Sequence, residues 1–235
     1  MKVILDVENV KKKFGELVAL ENISFSVHDK ECLGIIGPNG AGKTTLFNII
    51  SGHLKPTAGE VYFNGERITG LRPSRIAKKG LVRTFQILKV FQNLTVEENF
   101  RAAGIEPKVA EKIMKELNLH ERRNILAKNL SQGEMRKLNI ALALAKNPKV
   151  LLLDEPFSGL SPAECQELHS VIDHLKEKGV TLVIIEHKLK ELFNHAERVI
   201  VLNYGYILCE GTPEEIVQDV RVIEAYLGVG NVAGS

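Results

Sequence analysis

The segment from Gly37 to Thr44 carries the chemistry that is easiest to recognise in this sequence. It reads Gly-Pro-Asn-Gly-Ala-Gly-Lys-Thr and fits the pattern GxxxxGKS/T of a phosphate-binding loop. It follows the apolar segment Cys32 to Ile36 and precedes the helical pattern Thr45 to Ile50, the order of strand, loop and helix that such a loop requires. We therefore predict that this loop binds the phosphates of a nucleotide.

Each residue type in the loop has a physical reason to be there. Glycines let successive backbone N–H groups point at one anion, and the N-terminus of the following helix adds positive potential. We expect the ammonium of Lys43 to neutralise the terminal phosphates and the hydroxyl of Thr44 to hold Mg²⁺. The predicted nucleotide-binding residues of the loop are Gly37, Pro38, Asn39, Gly40, Ala41, Gly42, Lys43, Thr44 and Thr45. The alternative is a glycine-rich turn with a surface lysine.

Two adjacent carboxylates follow the apolar segment from Val150 to Leu153. We expect this segment to be a buried strand beside the strand of the phosphate-binding loop, so that Asp154 and Glu155 reach the same edge of the sheet. Asp154 can then bind Mg²⁺ through its water shell, and Glu155 can polarise a water for in-line attack on a γ-phosphate. Such a glutamate favours hydrolysis over phosphoryl transfer to a substrate. The alternative is a strand that ends in two solvated acids.

The elements that must position these residues fall into two patterns. Short β-rich segments occur at residues 3–10, 21–27, 32–36 and 60–68, and Asn64-Gly65 is typical of a two-residue hairpin turn, so the N-terminal part is predicted to be partly antiparallel. After residue 147, fully apolar segments alternate with helical ones, which indicates a parallel sheet covered on both faces. The predicted fold class is α/β, with an antiparallel β lobe.

Between these parts, residues 94–146 follow a helical period. Thr95 is a predicted N-cap, and apolar side chains recur at Ile113, Met114, Leu117 and Leu119. We therefore predict a helical insertion into a P-loop NTPase core.

Composition limits the classes of function that remain. The 31 basic and 29 acidic residues are nearly balanced, so the chain lacks the basic field that dominates nucleic-acid affinity. The three cysteines are far apart, which excludes a disulfide framework and favours a reducing, cytosolic compartment. No apolar run reaches the roughly 18 to 20 residues needed to cross a bilayer. We expect any role at a membrane to be exercised from outside the bilayer.

A third motif, Leu130-Ser131-Gln132-Gly133-Glu134, stands before the helical pattern Met135 to Lys146 and about twenty residues before Asp154. With this motif the sequence resembles the ABC ATPase family over nearly its whole length. The motif is similar to the family's LSGGQ signature, and three further motifs follow the family's order. These are a glutamine loop at Thr84-Phe85-Gln86, a D-loop at Ser158-Gly159-Leu160-Ser161 and a switch histidine in Glu186-His187.

The resemblance implies a site shared between two subunits. In this family the subunits pack head to tail, so that the signature of one covers the γ-phosphate held by the P-loop of the other. Ser131 and Gly133 would then bind the partner's nucleotide, Gln86 would contact Mg²⁺ and the attacking water, and His187 would bond the γ-phosphate. Phe14 matches the aromatic residue that stacks on adenine. A core histidine and a core phenylalanine are the respective alternatives.

Two positions depart from the family pattern. Gln132 replaces the first signature glycine, and Ser161 stands where many relatives have Asp. Gly133, whose small size lets a phosphate approach the backbone, is kept. We therefore expect a competent site.

Four segments look like the ATPases that power importers of branched-chain amino acids: residues 80–86, 93–99, 185–187 and 224–228. The segment between Asn99 and Leu130 is shorter than is usual in that subfamily, so urea, other amino acids and lipid export stay open as transported solutes. The resemblance implies ATP and Mg²⁺ as ligands. It implies as partners a second ATPase subunit, identical or a sister chain, together with transmembrane permease subunits and a solute-binding protein, on the cytoplasmic face of the membrane.

Two other classes compete with this interpretation. A soluble ABC protein of translation or DNA repair usually carries two cassettes or a long coiled-coil insertion, and this chain has neither. A P-loop kinase should lack both the signature and the glutamate at position 155.

We expect one domain over residues 1–235. Residues 1–87 and 147–228 form the core with the β lobe, 88–146 form the helical subdomain that carries the signature, and 229–235 form a flexible tail.

Overall fold

The computed structural model describes residues 2–84 and 90–227 of the chain. The strands are β1 Val3–Phe14, β2 Leu17–His28, β3 Cys32–Ile36, β4 Ala58–Phe63, β5 Glu66–Arg67, β6 Leu81–Arg83, β7 Val150–Asp154, β8 Thr181–Ile185, β9 Arg198–Asn203 and β10 Tyr206–Gly211. The α-helices are α1 Lys43–Ile50, α2 Pro73–Lys79, α3 Val96–Ala102, α4 Pro107–Glu116, α5 Gln132–Leu144, α6 Pro162–Glu177, α7 Leu189–Phe193, α8 Pro213–Gln218 and α9 Val220–Leu227. The predicted tail at 229–235 lies outside the described residues.

The N-terminal strands form a four-stranded antiparallel sheet in the order β2-β1-β4-β5. The predicted hairpin turn is confirmed: Asn64 and Gly65 have φ angles of 51° and 76° and connect β4 to β5. Strands β1 and β2 are longer than predicted, because a second tight turn pairs Phe14 with Leu17 and carries the ladder through residues that face solvent. This longer hairpin carries Phe14 to its tip.

The second sheet has six strands in the order β10-β9-β3-β8-β7-β6. All neighbouring pairs are parallel except β9 and β10. Side chains of β3 alternate between two hydrophobic clusters, with Cys32 and Ile36 in one and Leu33 and Ile35 in the other. Because both faces are covered, every residue of β3, β7 and β8 is buried, as the unbroken apolar segments predicted. The predicted α/β architecture is confirmed.

The prediction that β7 lies beside β3 is wrong. Strand β8 lies between them and pairs with both, and all five of its residues are buried, as suits the middle of a parallel sheet better than an edge. The carboxyl ends of β3, β8 and β7 still meet at one edge of the sheet. The loop after β3 and the carboxylates after β7 are therefore separated by the width of one strand.

Within the described ranges, four helices begin with the same local structure, a capping box. In each, a Ser or Thr side chain accepts the backbone N–H of a Glu three residues later, and that Glu accepts the N–H of the Ser or Thr. The pairs are Thr95 with Glu98, Ser131 with Glu134, Ser161 with Glu164, and Thr212 with Glu215. The predicted N-cap at Thr95 is confirmed, whereas α5 begins at Gln132 and not at Met135, since Ser131 caps it. Gly133 therefore belongs to the first turn of a helix.

The helical part between residues 96 and 144 packs against the core through apolar side chains. The four residues predicted to be apolar contacts, Ile113, Met114, Leu117 and Leu119, are all buried. The division of the chain into subdomains at residues 87 and 147 stays a prediction. Among the helices of the described residues, none is long and apolar enough to cross a membrane.

The turn after β3 is held by two distant parts of the chain. Gly37 has a φ of 148°, and a Cβ atom there would lie 2.1 Å from the backbone oxygen of Leu202 at the end of β9. The N–H of Gly37 donates to the hydroxyl of Tyr226 in α9 at 2.9 Å. The loop that follows is thus fixed at its first residue by close backbone packing and by one hydrogen bond.

This packing predicts that two glycines of one loop tolerate alanine differently. Gly37→Ala should lower the free energy of unfolding by about 3 kcal/mol, since the new methyl group overlaps a backbone oxygen. Gly40→Ala should cost only about 1 to 2 kcal/mol for its left-handed φ of 82°, because nothing lies within 4 Å of its Cβ position. Urea unfolding of both variants without nucleotide measures the difference. Equal losses would contradict the close contact at Gly37.

Candidate functional site

A cleft of about 350 Å³ lies over the loop after β3. Its walls come from the β1–β2 hairpin, the N-terminal turn of α1 and the residues after β7 and β8. The lining residues are Phe14, Leu17, Val18, Ala19, Asn39, Gly40, Ala41, Gly42, Lys43, Thr44, Thr45, Glu155 and His187. The structure therefore brings together Phe14, most of the predicted loop and two of the predicted catalytic residues.

The floor of the cleft is the N-terminus of α1. Gly42 occupies the N-cap position with a φ of 105°, and no side chain caps the helix there. The uncapped N–H groups at this end of the helix, together with its dipole, favour an anion. This geometry suits the phosphates of a nucleotide.

Lys43 lies beneath this floor with a side chain that is almost fully buried. Its Nζ atom donates to the backbone oxygens of Gly37 at 2.6 Å and Pro38 at 2.9 Å. Burial lowers the pKa of the ammonium, and the nearby carboxylates of Glu155 and Asp154 oppose that shift. The positive charge is held at the loop by backbone dipoles and by these two nearby acids.

Asp154 is buried at the end of β7 and is paired with Arg83 of β6. The Arg83 Nη2 atom donates to Oδ2 at 2.7 Å, and both side chains are at most 4% exposed. The other carboxylate oxygen, Oδ1, has no hydrogen-bond partner within residues 2–84 and 90–227. A buried carboxylate oxygen without a partner is the kind of ligand that a hard cation prefers, and Thr44 offers a hydroxyl from the first turn of α1.

Arg83 was missed by sequence reasoning, although it pairs with the buried carboxylate of Asp154. Its Nη1 atom also donates to Asn48 in α1 at 2.7 Å. The guanidinium thus ties β6, β7 and α1 together below the cleft. The only signal in the sequence was a basic residue at the end of an apolar segment, just before Thr84.

Glu155 and His187 meet at the mouth of the cleft. The Glu155 Oε1 atom lies 2.8 Å from His187 Nε2, with side-chain exposures of 14% and 37%. Glu155 has a φ of 48°, and its N–H donates to the backbone oxygen of Ile185 at 2.9 Å. The left-handed backbone turns the glutamate out of the line of β7 and toward the end of β8. An exposure of 37% excludes the core-histidine alternative for His187.

Glu186, next to this histidine, is a second residue that sequence reasoning did not assign a role. Its buried carboxylate accepts the N–H of Phe157 at 3.0 Å and those of His187 and Lys188 at 3.1 and 3.3 Å. Burial raises the pKa of Glu186, and these three donors oppose the shift. Glu186 therefore fastens the turn that carries His187 to the residues that follow Glu155.

Phe14 lies at the tip of the β1–β2 hairpin and is 48% exposed. The Lys12 ammonium lies 5.0 Å from the centroid of its ring. This exposure excludes the core alternative and leaves a ring at the cleft mouth, where a base can stack. Gln86 lies outside the described residues, so its contacts stay a prediction.

The signature residues lie elsewhere. Neither Ser131 nor Gly133 is among the described residues that line the cleft. Ser131 caps α5, and the buried N–H of Gly133 donates to Glu164 of α6 at 2.9 Å. Gln132, which departs from the family pattern, approaches Gly159 of the predicted D-loop. Within one chain, the signature residues and the cleft are separate.

Comparison with known proteins shows which family has these features. A sequence model of the ABC transporter family matches residues 20–158, and one described as branched-chain amino acid ATP-binding cassette transporter matches residues 207–231. The high-affinity branched-chain amino acid transport ATP-binding protein BraF of Pseudomonas aeruginosa is 38% identical, over 96% of this chain and 98% of that protein. The lipopolysaccharide export system ATP-binding protein LptB of Haemophilus influenzae is 35% identical, over 96% and 97%.

Solved structures agree with the sequence comparison. The ADP conformation of MJ1267, an ATP-binding cassette of an ABC transporter, superimposes with a TM-score of 0.91 at 35% identity and covers 97% of this chain and 100% of that one. A dimeric post-hydrolysis state of the cassette MJ0796 bound to ADP and Pi has a TM-score of 0.78 at 30% identity, over 89% and 99%. The loop, the paired carboxylates and the signature lie on a backbone shared with these cassettes. The chain therefore belongs to the ABC transporter family, in which it is an ATP-binding cassette subunit.

Proposed function

We propose that this cassette binds and hydrolyses ATP as one half of a nucleotide-sandwiching dimer, and that the cycle powers the import of branched-chain or other amino acids. The observation that carries the proposal is the pair of Glu155 and His187 at the mouth of the cleft above Lys43. A carboxylate held in place at this point is suited to activate a water against a γ-phosphate.

The chemistry follows from the positions of these side chains. The phosphates of ATP lie on the uncapped N-terminus of α1, and Phe14 stacks on the adenine. Lys43 turns from the oxygens of Gly37 and Pro38 toward the terminal phosphates. Glu155 accepts a proton from the attacking water. The oxygen of that water bonds to the γ-phosphorus as the bond between the γ-phosphorus and the leaving oxygen of ADP breaks. His187, bonded to Glu155 Oε1, keeps the carboxylate facing the cleft and bonds the γ-phosphate.

The residues present also suit Mg²⁺. Thr44 and Asp154 would hold the ion, Asp154 through its unpartnered Oδ1 atom, and Gln86 joins them by resemblance. When bound, the ion neutralises the charge of the β- and γ-phosphates. Arg83, bonded to the other oxygen of Asp154, holds that carboxylate in place.

The separation of the signature from the cleft supports a dimer. Ser131 and Gly133 form an anion site at the N-terminus of α5, and in a head-to-tail pair each such site covers the nucleotide of the partner. The dimeric structure of a 30% identical cassette supports this arrangement. The second subunit is a further copy of this chain or a sister ATPase, and permease subunits and a solute-binding protein complete the system at the cytoplasmic face of the membrane.

The solute is inferred from the relatives. The match at residues 207–231 is to the branched-chain amino acid family, and the similarity to BraF covers nearly all of both chains. The similarity to LptB is only slightly lower, so lipid export is the second candidate.

Glu155→Gln tests the role of the carboxylate. The amide keeps the size of the side chain and cannot accept the proton, so steady-state hydrolysis should fall about a hundredfold or more while ATP still binds. ATP with Mg²⁺ should then trap a dimer that size-exclusion chromatography detects, alone or after addition of the sister subunit. Glu214→Gln, an exposed glutamate on α8, is the matched control and should hydrolyse normally. Normal turnover in Glu155→Gln would contradict the assignment.

Phe14→Ala tests adenine stacking. Loss of the ring should weaken ATP, ADP and GTP together by about tenfold, which corresponds to roughly 1.4 kcal/mol and lies within the range for one stacked base. Phe91→Ala removes a ring that is 60% exposed and does not line the cleft, so it should leave nucleotide affinity unchanged. Fluorescence titration with labelled nucleotides measures both. Equal affinities in the two variants would remove Phe14 from the site.

A transport assay tests the identity of the solute. The chain is reconstituted in proteoliposomes with its permease and solute-binding partners, and ATP-dependent uptake of radiolabelled leucine is measured. We expect uptake that falls to background with Glu155→Gln. Stimulation of hydrolysis by lipopolysaccharide, without leucine uptake, would replace import by lipid export.

A further inference from the structure

The anion site of the signature is filled by a side chain of the same subunit. The N–H of Gly133 donates to Glu164 Oε1 at 2.9 Å. The N–H and the hydroxyl of Ser161 donate to the other oxygen, Oε2, at 3.0 and 2.9 Å. One carboxylate therefore bridges the N-termini of α5 and α6.

Glu164 also covers Gly133 sterically. A Cβ atom at Gly133 would lie 2.8 Å from Cγ and 2.9 Å from Cβ of Glu164. The open side of Gly133, which makes it small enough for a phosphate to approach the backbone, is thus occupied by this side chain. A phosphate that binds the Gly133 N–H must first displace the glutamate.

The charge of Glu164 agrees with this position. The Gly133 N–H and the N–H and hydroxyl of Ser161, with a smaller contribution from the Ser131 hydroxyl, lower the pKa of Glu164 to about 2. The carboxylate is therefore an anion at every physiological pH and does not leave the site by protonation. The two donors assigned to the partner's γ-phosphate, Gly133 and Ser131, already serve an anion of the same chain.

Capping of α6 does not by itself explain the contact with Gly133. The glutamates of the other three capping boxes accept the N–H of their own N-cap residues, Thr95, Ser131 and Thr212. Among the capping boxes in the described part of the chain, the one at Glu164 alone has a bond to the N-terminus of another helix. Oε2 suffices to keep α6 capped, so Oε1 can leave Gly133 without opening the helix.

We propose that Glu164 is an intramolecular competitor of the partner's γ-phosphate for the signature site. The inference rests on the proposed nucleotide sandwich. In the separate subunit Glu164 holds the Gly133 N–H, and in the ATP-bound dimer the γ-phosphate replaces it. The contact raises the ATP concentration that dimerisation needs, and its return after phosphate release speeds dissociation of the spent dimer.

The test uses full-length protein that carries Glu155→Gln, so that hydrolysis does not dissolve the dimer. Glu164→Ala is added, and the ATP concentration for half-maximal dimer formation with Mg²⁺ is measured by analytical ultracentrifugation. We expect this ATP concentration to fall at least about fivefold, which is the lower end of typical coupling between sites. The matched control is Glu215→Ala, because Thr212-Pro213-Glu214-Glu215 caps α8 as Ser161-Pro162-Ala163-Glu164 caps α6. The control should leave the concentration unchanged.

Glu164→Gln keeps the experiment informative if the alanine variant does not fold. The amide has one acceptor oxygen and cannot serve both Gly133 and Ser161, so dimerisation should again need less ATP. A folded Glu164 variant that needs as much ATP as the parent, or more, overturns the competitor role while the sandwich stands. If the parent itself forms no ATP-dependent dimer, even with the sister subunit, the proposed sandwich fails and the inference fails with it.

Discussion

Parallel pairing of buried strands is the constraint on which the rest of this molecule depends. Because β3, β8 and β7 run in one direction, their carboxyl ends meet at one edge and deliver three different functional segments there. Strand β3 supplies the phosphate-binding loop, β7 supplies Asp154 and Glu155, and β8 supplies Glu186 and His187. The strand that separates the loop from the carboxylates is also the one that brings the histidine to Glu155. The arrangement assembles the hydrolytic side of the site within a single subunit.

The second constraint is the cost of burying charged side chains. The fold meets it by giving these side chains bonding partners, while some of their polar atoms are left without one. Asp154 is buried against Arg83, which compensates its charge, yet one carboxylate oxygen keeps no hydrogen-bond partner among the described residues. Glu186 is buried with three backbone N–H donors and so orders the turn before His187. Glu164 is partly exposed and uses both of its oxygens. Asp154 and Glu164 are each bonded to a residue distant in sequence, Arg83 and Gly133, and Glu186 is bonded to the N–H of Phe157.

The distance in sequence between bonded residues explains which features the sequence could predict. The loop from Gly37 to Thr44, the hairpin at Asn64-Gly65 and the N-cap at Thr95 were predictable because their determinants are contiguous. The pairs Arg83 with Asp154 and Gly133 with Glu164 join residues 71 and 31 positions apart, and nothing local distinguishes these partners from other charged residues. The place of β8 between β3 and β7 was missed for the same reason, since two equally apolar segments give no order within a sheet. The ends of β1 and β2 were predicted wrongly because solvent-facing lysines obscure the alternation of apolar and polar residues along a strand.

The hydrogen bond between Gly37 and Tyr226 spans 189 positions, and the neighbours of β3 in its sheet are β8 and β9, which begin at Thr181 and Arg198. The strand that carries the phosphate-binding loop is thus synthesised well before either of its sheet partners. Contacts between residues so far apart in sequence form slowly, and apolar strands are prone to aggregate until they are paired. A nascent chain of this cassette therefore exposes β3 to solvent or to a chaperone until β8 and β9 have been made, and its nucleotide pocket forms only after them.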